Sequence, residues 1–115
     1  MSGADSQREP VRIANVSGFY GDDLNAMKTM LAGEPVDFIT GDYLAELTML
    51  ILAKDKLRDP QGGYAPTFLK QVADVAPQLK ETGTKVVANA GGLNPAGLAQ
   101  GLQEAFAEQN IDLTV

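Results

Sequence analysis

The sequence contains no cysteine and no histidine. These absences exclude disulfide bonds, thiolate nucleophiles, imidazole bases and the usual zinc ligands, so any chemistry must use carboxylates, hydroxyls, amides or the backbone. Basic residues are also few, because 9 Lys and Arg oppose 15 Asp and Glu, which gives a formal net charge of −6. Nucleic-acid affinity depends on clustered Lys and Arg that release counterions, so DNA or RNA binding is not expected.

Long apolar runs are absent as well. The most apolar segment, residues 43–53, has about half of the roughly 20 residues that a membrane helix needs, and it contains Glu46. Residues 1–10 are polar and mixed in charge, unlike a signal peptide. We therefore expect a cytoplasmic protein with no membrane partner, in which a mobile tail at residues 1–10 precedes a single domain at residues 11–115.

Short β-branched segments alternate with helical patterns along the chain. Four segments are typical of strands, at residues 11–16, 36–40, 85–90 and 111–115. Strands that are separated by helices imply right-handed crossovers and a parallel sheet. The predicted fold is therefore an α/β, Rossmann-like three-layer unit, with a parallel sheet of about four strands alternating with helices.

The first two predicted helices differ in their apolar faces. The first follows Asp22 or Asp23, has its apolar side chains on one face of residues 24–31 and stops at the glycine that follows. The second runs from Tyr43 to about Lys56 with Asp42 as its N-cap. It is apolar on nearly every side, so both of its sides should be covered.

The two later helices carry local signals of their own. In the third, at about residues 68–83, Pro77 should kink or break the helix near Val75, because proline removes a donor and clashes one turn back. The fourth helix is predicted to begin with Asn94 as N-cap and Pro95 as its first residue, a pairing that favours helix initiation.

The connections that leave the strand ends combine glycine with polar side chains. In an open parallel sheet these connections lie on one edge, where ligands of α/β folds bind. Glycine lets a ligand approach the backbone, and amide, hydroxyl or carboxylate groups orient it. The predicted ligand-binding residues at this edge are Ser17, Gly18, Phe19, Tyr20, Gly21, Asp22, Gly41, Tyr43, Asn89, Gly91, Gly92 and Asn94. Four aromatic residues either line this edge or pack in the core: Phe19, Tyr20, Tyr43 and Tyr64.

Two interpretations of the Gly91-Gly92 turn are open. Backbone N–H groups at the start of a helix attract phosphate or carboxylate, which favours an anion site. Alternatively, Gly91, Gly92 and Gly97 only permit a tight turn and close packing. The G-x-G-x-x-G pattern of dinucleotide binding is absent.

Asp42 and Glu46 are the candidate catalytic residues. They lie four positions apart at the start of one predicted helix, where they would share a face and could hold a proton, a metal ion or substrate hydroxyls. The alternative is structural, with Asp42 as a cap and Glu46 stabilised by the helix dipole. Asp22 and Asp23 fit a helix start better than a metal site. Ser17 lacks the histidine and the G-x-S-x-G turn of a nucleophile.

Three sequence strings carry a family resemblance. They are RIANVSGFYGD at residues 12–22, TGDY followed by LAELTML at residues 40–50, and VANAGGLNP at residues 87–95. Together they closely resemble the start of the acyclic terpene utilisation (AtuA-like) family, over about residues 11–115. The resemblance implies a bacterial-type cytoplasmic protein linked to the catabolism of terpenes such as citronellol and geraniol, which runs through acyl-CoA intermediates. It assigns no reaction, and the cofactor stays unknown.

The resemblance also shapes the expected partners. The chain is expected to be the N-terminal portion of a longer family chain and to bind a small anionic ligand, either a terpenoid acid or an acyl-CoA. A homo-oligomer, or association with the rest of a longer chain, would cover the apolar second helix or an edge strand. Two other functions remain open. One is a non-catalytic binding or assembly module of a larger complex, and the other is a nucleotide-binding module suggested by fold analogy.

Overall fold

The computed structural model describes residues 9–18 and 23–115. Most of the predicted tail, and the predicted site residues at 19–22, therefore lie outside the described residues. The elements are, in chain order, β1 (Ile13–Ser17), α1 (Ala26–Ala32), β2 (Phe38–Gly41), α2 (Glu46–Arg58), α3 (Pro66–Thr82), β3 (Lys85–Ala88) and α4 (Pro95–Glu108). Strands and helices alternate, which confirms the α/β class.

The three strands form one parallel sheet in the order β1-β2-β3. Phe38 of β2 pairs with Ile13 on one side and with Lys85 on the other. The register of β1 shifts between Asn15 and Ser17, and this bulge leaves both Ser17 and the preceding Val16 buried. The parallel sheet is as predicted, but it has three strands among the described residues rather than about four.

The two faces of the sheet differ in burial. Ile39, at the centre of one face, is fully buried under the helices, whereas Ile13 is 64% exposed and Val87 58% exposed on the other face. Right-handed crossovers that step in one direction along a sheet place their helices on the same side. The described part of the chain is therefore a two-layer unit, and the three layers of a Rossmann-like fold are not formed within it.

The hydrophobic core lies between the covered face of the sheet and helices α1, α3 and α4. Its larger members are Val16, Met27, Ile39, Tyr43, Phe68, Val72, Val75, Leu79, Leu98, Leu102 and Phe106. Helix α1 contributes Met27, which is 1% exposed, but it begins at Ala26 and leaves Leu24 half exposed outside the helix. None of the helices within the described ranges has the length and apolarity needed to cross a bilayer.

Residues 111–115 do not form the predicted fourth strand. Ile111 and Leu113 are half-buried against the core, while Asp112 and Thr114 are exposed, so the alternation typical of a strand is present. The segment nevertheless makes no ladder with β3. The outer edge of β3 therefore has no strand partner in the part of the chain that the structure describes.

Pro77 lies inside α3 without ending it. Proline cannot donate to the carbonyl four residues earlier, which belongs to Ala73. Gln109, the residue that follows α4, supplies the missing donor, because its Nε2 atom lies 2.9 Å from Ala73 O. The prediction was a kink or a break near Val75, and the break is absent, since a contact from a distant segment satisfies the carbonyl that proline leaves unpaired. Gly83 ends the helix as predicted, with a φ of 72°.

Candidate functional site

The ends of the three strands meet at one edge of the sheet. The backbone N–H of Asp42, just after β2, donates to Ser17 O at the end of β1 with a distance of 2.9 Å. The side-chain Nδ2 of Asn89, just after β3, donates to Asp42 Oδ1 at 2.8 Å. The structure therefore brings together the three strand ends from which the connections of the predicted site leave.

Asn89 fixes the position of Asp42 with both ends of its amide. Its Nδ2 donates to Asp42 Oδ1, and its Oδ1 accepts from Tyr43 N at 2.9 Å. Asp42 Oδ1 also accepts from Leu44 N at 3.3 Å, which closes a short turn of the Asx type. Asp42 Oδ2 makes no hydrogen bond with any described residue, and the side chain is exposed. One carboxylate oxygen is therefore held in place while the other faces solvent.

Asn15 and Thr40 form a polar pair on the open face, just before the strand ends. Thr40 Oγ1 donates to Asn15 Oδ1 at 3.1 Å, and Asn15 Nδ2 donates to Ser17 O at 3.1 Å. Neither residue is among the predicted ligand-binding residues, because both lie within segments that were predicted as strands. The signal was available, since a polar side chain inside an otherwise apolar strand points to a face that is not covered.

Asp42 and Glu46 do not share a helix. Helix α2 begins at Glu46, and its N-cap is Ala45 in extended conformation, with φ −137° and ψ 175°. The prediction that Asp42 caps this helix and shares one face with Glu46 was therefore wrong. The hydrogen bonds of Asp42 to Leu44 and Asn89 hold the chain extended before the helix starts. Glu46 is exposed in the first turn, where a carboxylate interacts favourably with the helix dipole.

Tyr43 supports the edge from inside the core. It is 1% exposed, its ring meets Phe68 edge-on at 5.3 Å, and its hydroxyl donates to Gln71 Oε1 at 2.8 Å. A Cβ on Gly41 would lie 2.5 Å from the Tyr43 ring, so Gly41 provides the space that this ring occupies. Of the two interpretations of Tyr43, the structure favours packing over lining a cleft.

The Gly91-Gly92 turn uses its N–H groups within the protein. Three donors are satisfied by backbone carbonyls: Gly92 N by Asn89 O at 3.2 Å, Leu93 N by Gly63 O at 2.9 Å, and Asn94 N by Gly91 O at 2.8 Å. An anion at this turn could not use these three groups without displacing the carbonyls. The structure therefore favours packing as the role of the two glycines.

Close contacts explain why glycine is needed at this turn. Gly92 has a φ of 54°, and an added Cβ would lie 2.6 Å from Leu52 Cδ1 and 2.8 Å from Gly63 O. At Gly91 an added Cβ would lie 2.7 Å from the ring of Pro95. Both glycines thus allow the turn to approach α2 and α4 more closely than any side chain would permit.

Asn94 joins two loops and caps a helix. Its Oδ1 accepts from Gly97 N at 2.9 Å, which confirms it as the N-cap of α4. Its Nδ2 donates to Gln61 O at 3.0 Å and to Gly62 O at 3.1 Å. Its side-chain oxygen and nitrogen are therefore both engaged within the protein, so Asn94 positions the turn.

Lys56 places a cation beside the same turn. Its Nζ donates to Leu93 O at 3.0 Å, and the side chain is exposed. Sequence reasoning missed Lys56 because nothing in its local pattern indicates contact with a turn 37 residues away. Asp42 therefore lies against Asn89 at one end of the turn at residues 89–94, and the ammonium group of Lys56 lies at the other end.

The remaining predicted residues near β1 have structural surroundings. Ser17 is 3% exposed, and its carbonyl accepts from Asp42 and Asn15, while Gly18 is exposed at the strand end. Asp23 Oδ1 accepts from Asn25 N at 2.9 Å before α1, but the N-cap position of the helix is Asn25, so the expectation that Asp23 caps it was wrong. Within residues 9–18 and 23–115 no three acidic side chains group as a metal site would require.

A separate apolar groove runs along the outer edge of β3. Its volume is about 750 Å³, and residues 112–115 form part of one wall. Helices α3 and α4 contribute Phe68, Val72, Leu79, Leu102 and Phe106. The groove occupies the space where a fourth strand would pair, and no predicted site residue that the structure describes lines it.

Parallel strands that alternate with helices and end in a shared polar edge define a parallel α/β protein. The profile of the acyclic terpene utilisation family, AtuA, matches residues 11–115. The chain belongs to this family, which confirms the resemblance carried by the three strings. No curated protein and no solved structure matches the chain.

Proposed function

We propose that the strand-end edge binds a terpenoid acid or its CoA thioester from acyclic terpene catabolism, with Asp42 as the central contact. Membership of the AtuA family suggests a role in acyclic terpene utilisation. The observation that best supports the proposed site is the 2.8 Å hydrogen bond between Asn89 and Asp42. It joins polar groups from two neighbouring strands at the edge where ligands of parallel α/β proteins bind.

Asp42 is suited to receive a proton or a hydroxyl group of the ligand. Asn89 and Leu44 hold Oδ1, so Oδ2 is the oxygen that would accept from the ligand. Thr40 and Asn15 lie on neighbouring strands and add a hydroxyl and an amide on the open face. This set binds a neutral polar group, such as a hydroxyl or a thioester carbonyl, better than it binds an anion, because Asp42 is itself negative.

The anionic part of the ligand would bind at the other end of the 89–94 turn. Lys56 donates to Leu93 O there and is exposed, so a carboxylate or a phosphate could pair with the same ammonium group. The proposed orientation therefore directs the polar reacting group towards Asp42 and the negative group towards Lys56. It needs no N–H group from Gly92 or Leu93.

Glu46 remains a predicted second catalytic carboxylate. It is exposed at the start of α2, four residues beyond Asp42. Its side chain makes no hydrogen bond with any described residue, so a ligand could reach it without breaking a contact within the chain. Its role would be proton transfer at the rim of the edge, with Asp42 as the fixed group.

Calorimetric titration with a panel of compounds tests this function. The panel contains the acid formed by oxidation of citronellol, its CoA thioester, free CoA and two nucleotides. We expect binding of the acid or the thioester, weakened by about tenfold to a hundredfold by Asp42→Asn and by Lys56→Gln, since a hydrogen bond to a charged group contributes about 1.5–3 kcal/mol. Lys28→Gln, which changes an exposed lysine in α1, is the matched control. Binding of a nucleotide but of neither terpenoid compound would contradict the proposal.

A non-catalytic assembly module is the second candidate function. The exposed leucines of α2 favour it, because Leu47 is 68% exposed and Leu57 86% exposed. If the chain only assembles with other proteins, Asp42→Asn and Glu46→Gln will leave growth on an acyclic terpene unchanged, whereas substitution of the exposed leucines will impair it. The opposite pattern would support the ligand-binding proposal.

A further inference from the structure

Helix α2 turns an aliphatic stripe towards solvent. The outer stripe consists of Leu47, Leu50, Ile51, Lys54, Leu57 and Arg58. At about 100° per residue these six side chains fall within roughly one third of the helix circumference. The exposed fractions of its four aliphatic members are 68% for Leu47, 54% for Leu50, 37% for Ile51 and 86% for Leu57. The opposite side of α2 packs inward through Leu52 and Thr48, which are 0% and 5% exposed.

The spacing of the stripe is that of a helix–helix contact. Leu47, Leu50, Lys54 and Leu57 follow one another at intervals of three, four and three residues, which places them along one line of the helix. Helices α3 and α4 instead bury their apolar faces, since Val75 of α3 is 1% exposed and Phe106 of α4 is 5% exposed. The outer stripe is therefore a surface suited to pack against another helix.

We propose that the outer stripe is the interface of a homodimer in which α2 packs antiparallel against α2 of a second copy. Helix α2 has Glu46 in its first turn and Lys56 and Arg58 in its last turn. An antiparallel pair therefore brings the acidic end of each helix towards the basic end of the other, and the two helix dipoles oppose. A parallel pair would instead place Lys54 against Lys54 inside the stripe.

Antiparallel packing gives four of the six stripe residues a suitable neighbour in the second copy. With the symmetry axis beside residue 52, Leu47 faces Leu57 of the second copy, and Leu50 faces Lys54. The methylene groups of Lys54 cover Leu50, and its ammonium group extends towards Glu46 of the second copy. Arg58 already pairs with Asp55 of its own helix at 2.9 Å.

The charge of α2 favours a second copy of the chain as the partner that packs on the outer stripe. Helix α2 carries three basic residues, Lys54, Lys56 and Arg58, and two acidic ones, Glu46 and Asp55, so its net charge is +1. The interface is therefore nearly neutral although the whole chain carries −6. One helix pair buries less than the roughly 1,200 Å² at the lower end of stable interfaces, so we expect a dissociation constant on the order of micromolar. The dimer does not depend on the ligand proposed above.

Sedimentation velocity tests the dimer. Over chain concentrations of about 5 to 500 µM, the protein should shift from monomer to dimer. Leu50→Glu and Leu57→Glu should each raise the dissociation constant at least tenfold. Val87→Glu is the matched control, because Val87 is 58% exposed on the open face of the sheet. A chain that stays monomeric throughout, or a dimer that the two leucine substitutions leave intact, would overturn the proposal.

Disulfide trapping tests the antiparallel arrangement. The chain has no native cysteine, so each introduced thiol reports one position. Under oxidation, Leu47→Cys alone and Leu57→Cys alone should give little covalent dimer, whereas an equimolar mixture of the two variants should give the mixed disulfide. Efficient trapping of either variant by itself, with no gain in the mixture, would overturn the antiparallel pairing.

Discussion

Asn89 holds Asp42 and Tyr43 with the two ends of one amide. Its Nδ2 lies 2.8 Å from Asp42 Oδ1, and its Oδ1 lies 2.9 Å from Tyr43 N. The two residues that it binds follow β2 directly, whereas Asn89 itself follows β3. A single side chain therefore sets the position of the candidate carboxylate relative to the neighbouring strand.

Replacing Asn89 with Asp should loosen this edge. The carboxylate could still accept from Tyr43 N, but it would lose the donor to Asp42 and would place a second negative charge beside it. We expect Asn89→Asp to lower the free energy of unfolding by about 1–2 kcal/mol in urea denaturation. Asn25→Asp introduces the same charge at an exposed position just before α1 and should change it by less than about 0.5 kcal/mol. Equal effects of the two substitutions would contradict the role of Asn89.

Tyr43→Phe should destabilise the support beneath the edge. The substitution removes the hydroxyl that donates to Gln71 Oε1, and Gln71 is only 6% exposed. Because a buried acceptor is left unpaired, we expect a loss of about 1–3 kcal/mol in thermal or urea unfolding. Tyr64→Phe is the control, since the Tyr64 hydroxyl makes no hydrogen bond with the described residues, and it should cost less than about 0.5 kcal/mol. A harmless Tyr43→Phe would show that the Gln71 contact contributes little.

Gly92→Ala should cost more stability than Gly83→Ala. Both glycines have positive φ, 54° and 72°, so each substitution carries a backbone penalty of about 1–2 kcal/mol. At Gly92 the added Cβ would also meet Leu52 and Gly63 O, whereas at Gly83 nothing lies within 4 Å. We expect the difference between the two variants to exceed about 1 kcal/mol in urea denaturation. Similar losses would mean that the turn shifts to relieve the contact.

Gln109 should matter only while Pro77 is present. Gln109→Ala removes the donor to Ala73 O and should cost about 0.5–1.5 kcal/mol. In a Pro77→Ala background the helix itself can donate to Ala73 O, so the same substitution should cost much less. A double-mutant cycle measured by urea denaturation gives the coupling between the two residues. A coupling close to zero would contradict this explanation of the unbroken helix.

Local patterns were sufficient to predict most of the fold. Three of the four β-branched segments form strands, those strands make a parallel sheet, and the Asn94-Pro95 helix start is present. The predictions that were wrong depended on contacts from far along the chain. Helix α2 starts at Glu46 because Asn89, 46 residues after Tyr43, holds that segment extended. In the same way, Pro77 is tolerated because Gln109 reaches Ala73.

The candidate site was predictable to the extent that it follows strand ends. Asp42 and Asn89 were found because parallel strands deliver their ends to one edge. Asn15 and Thr40 meet only because β1 and β2 pair in this register, which no local pattern indicates. Residues 111–115 show the limit of periodicity, since they alternate like a strand but do not pair with β3.

Amide chemical-shift mapping of the isotope-labelled chain is the most direct test of the proposed ligand site. The chain is titrated with the CoA thioester of the acid derived from citronellol, and each backbone amide reports its own surroundings. We expect the largest changes at residues 40–44 and 89–93, and a dissociation constant raised by about tenfold to a hundredfold in Asp42→Asn. Changes confined to the apolar groove, at residues 84–88 and 112–115, would contradict the proposed site.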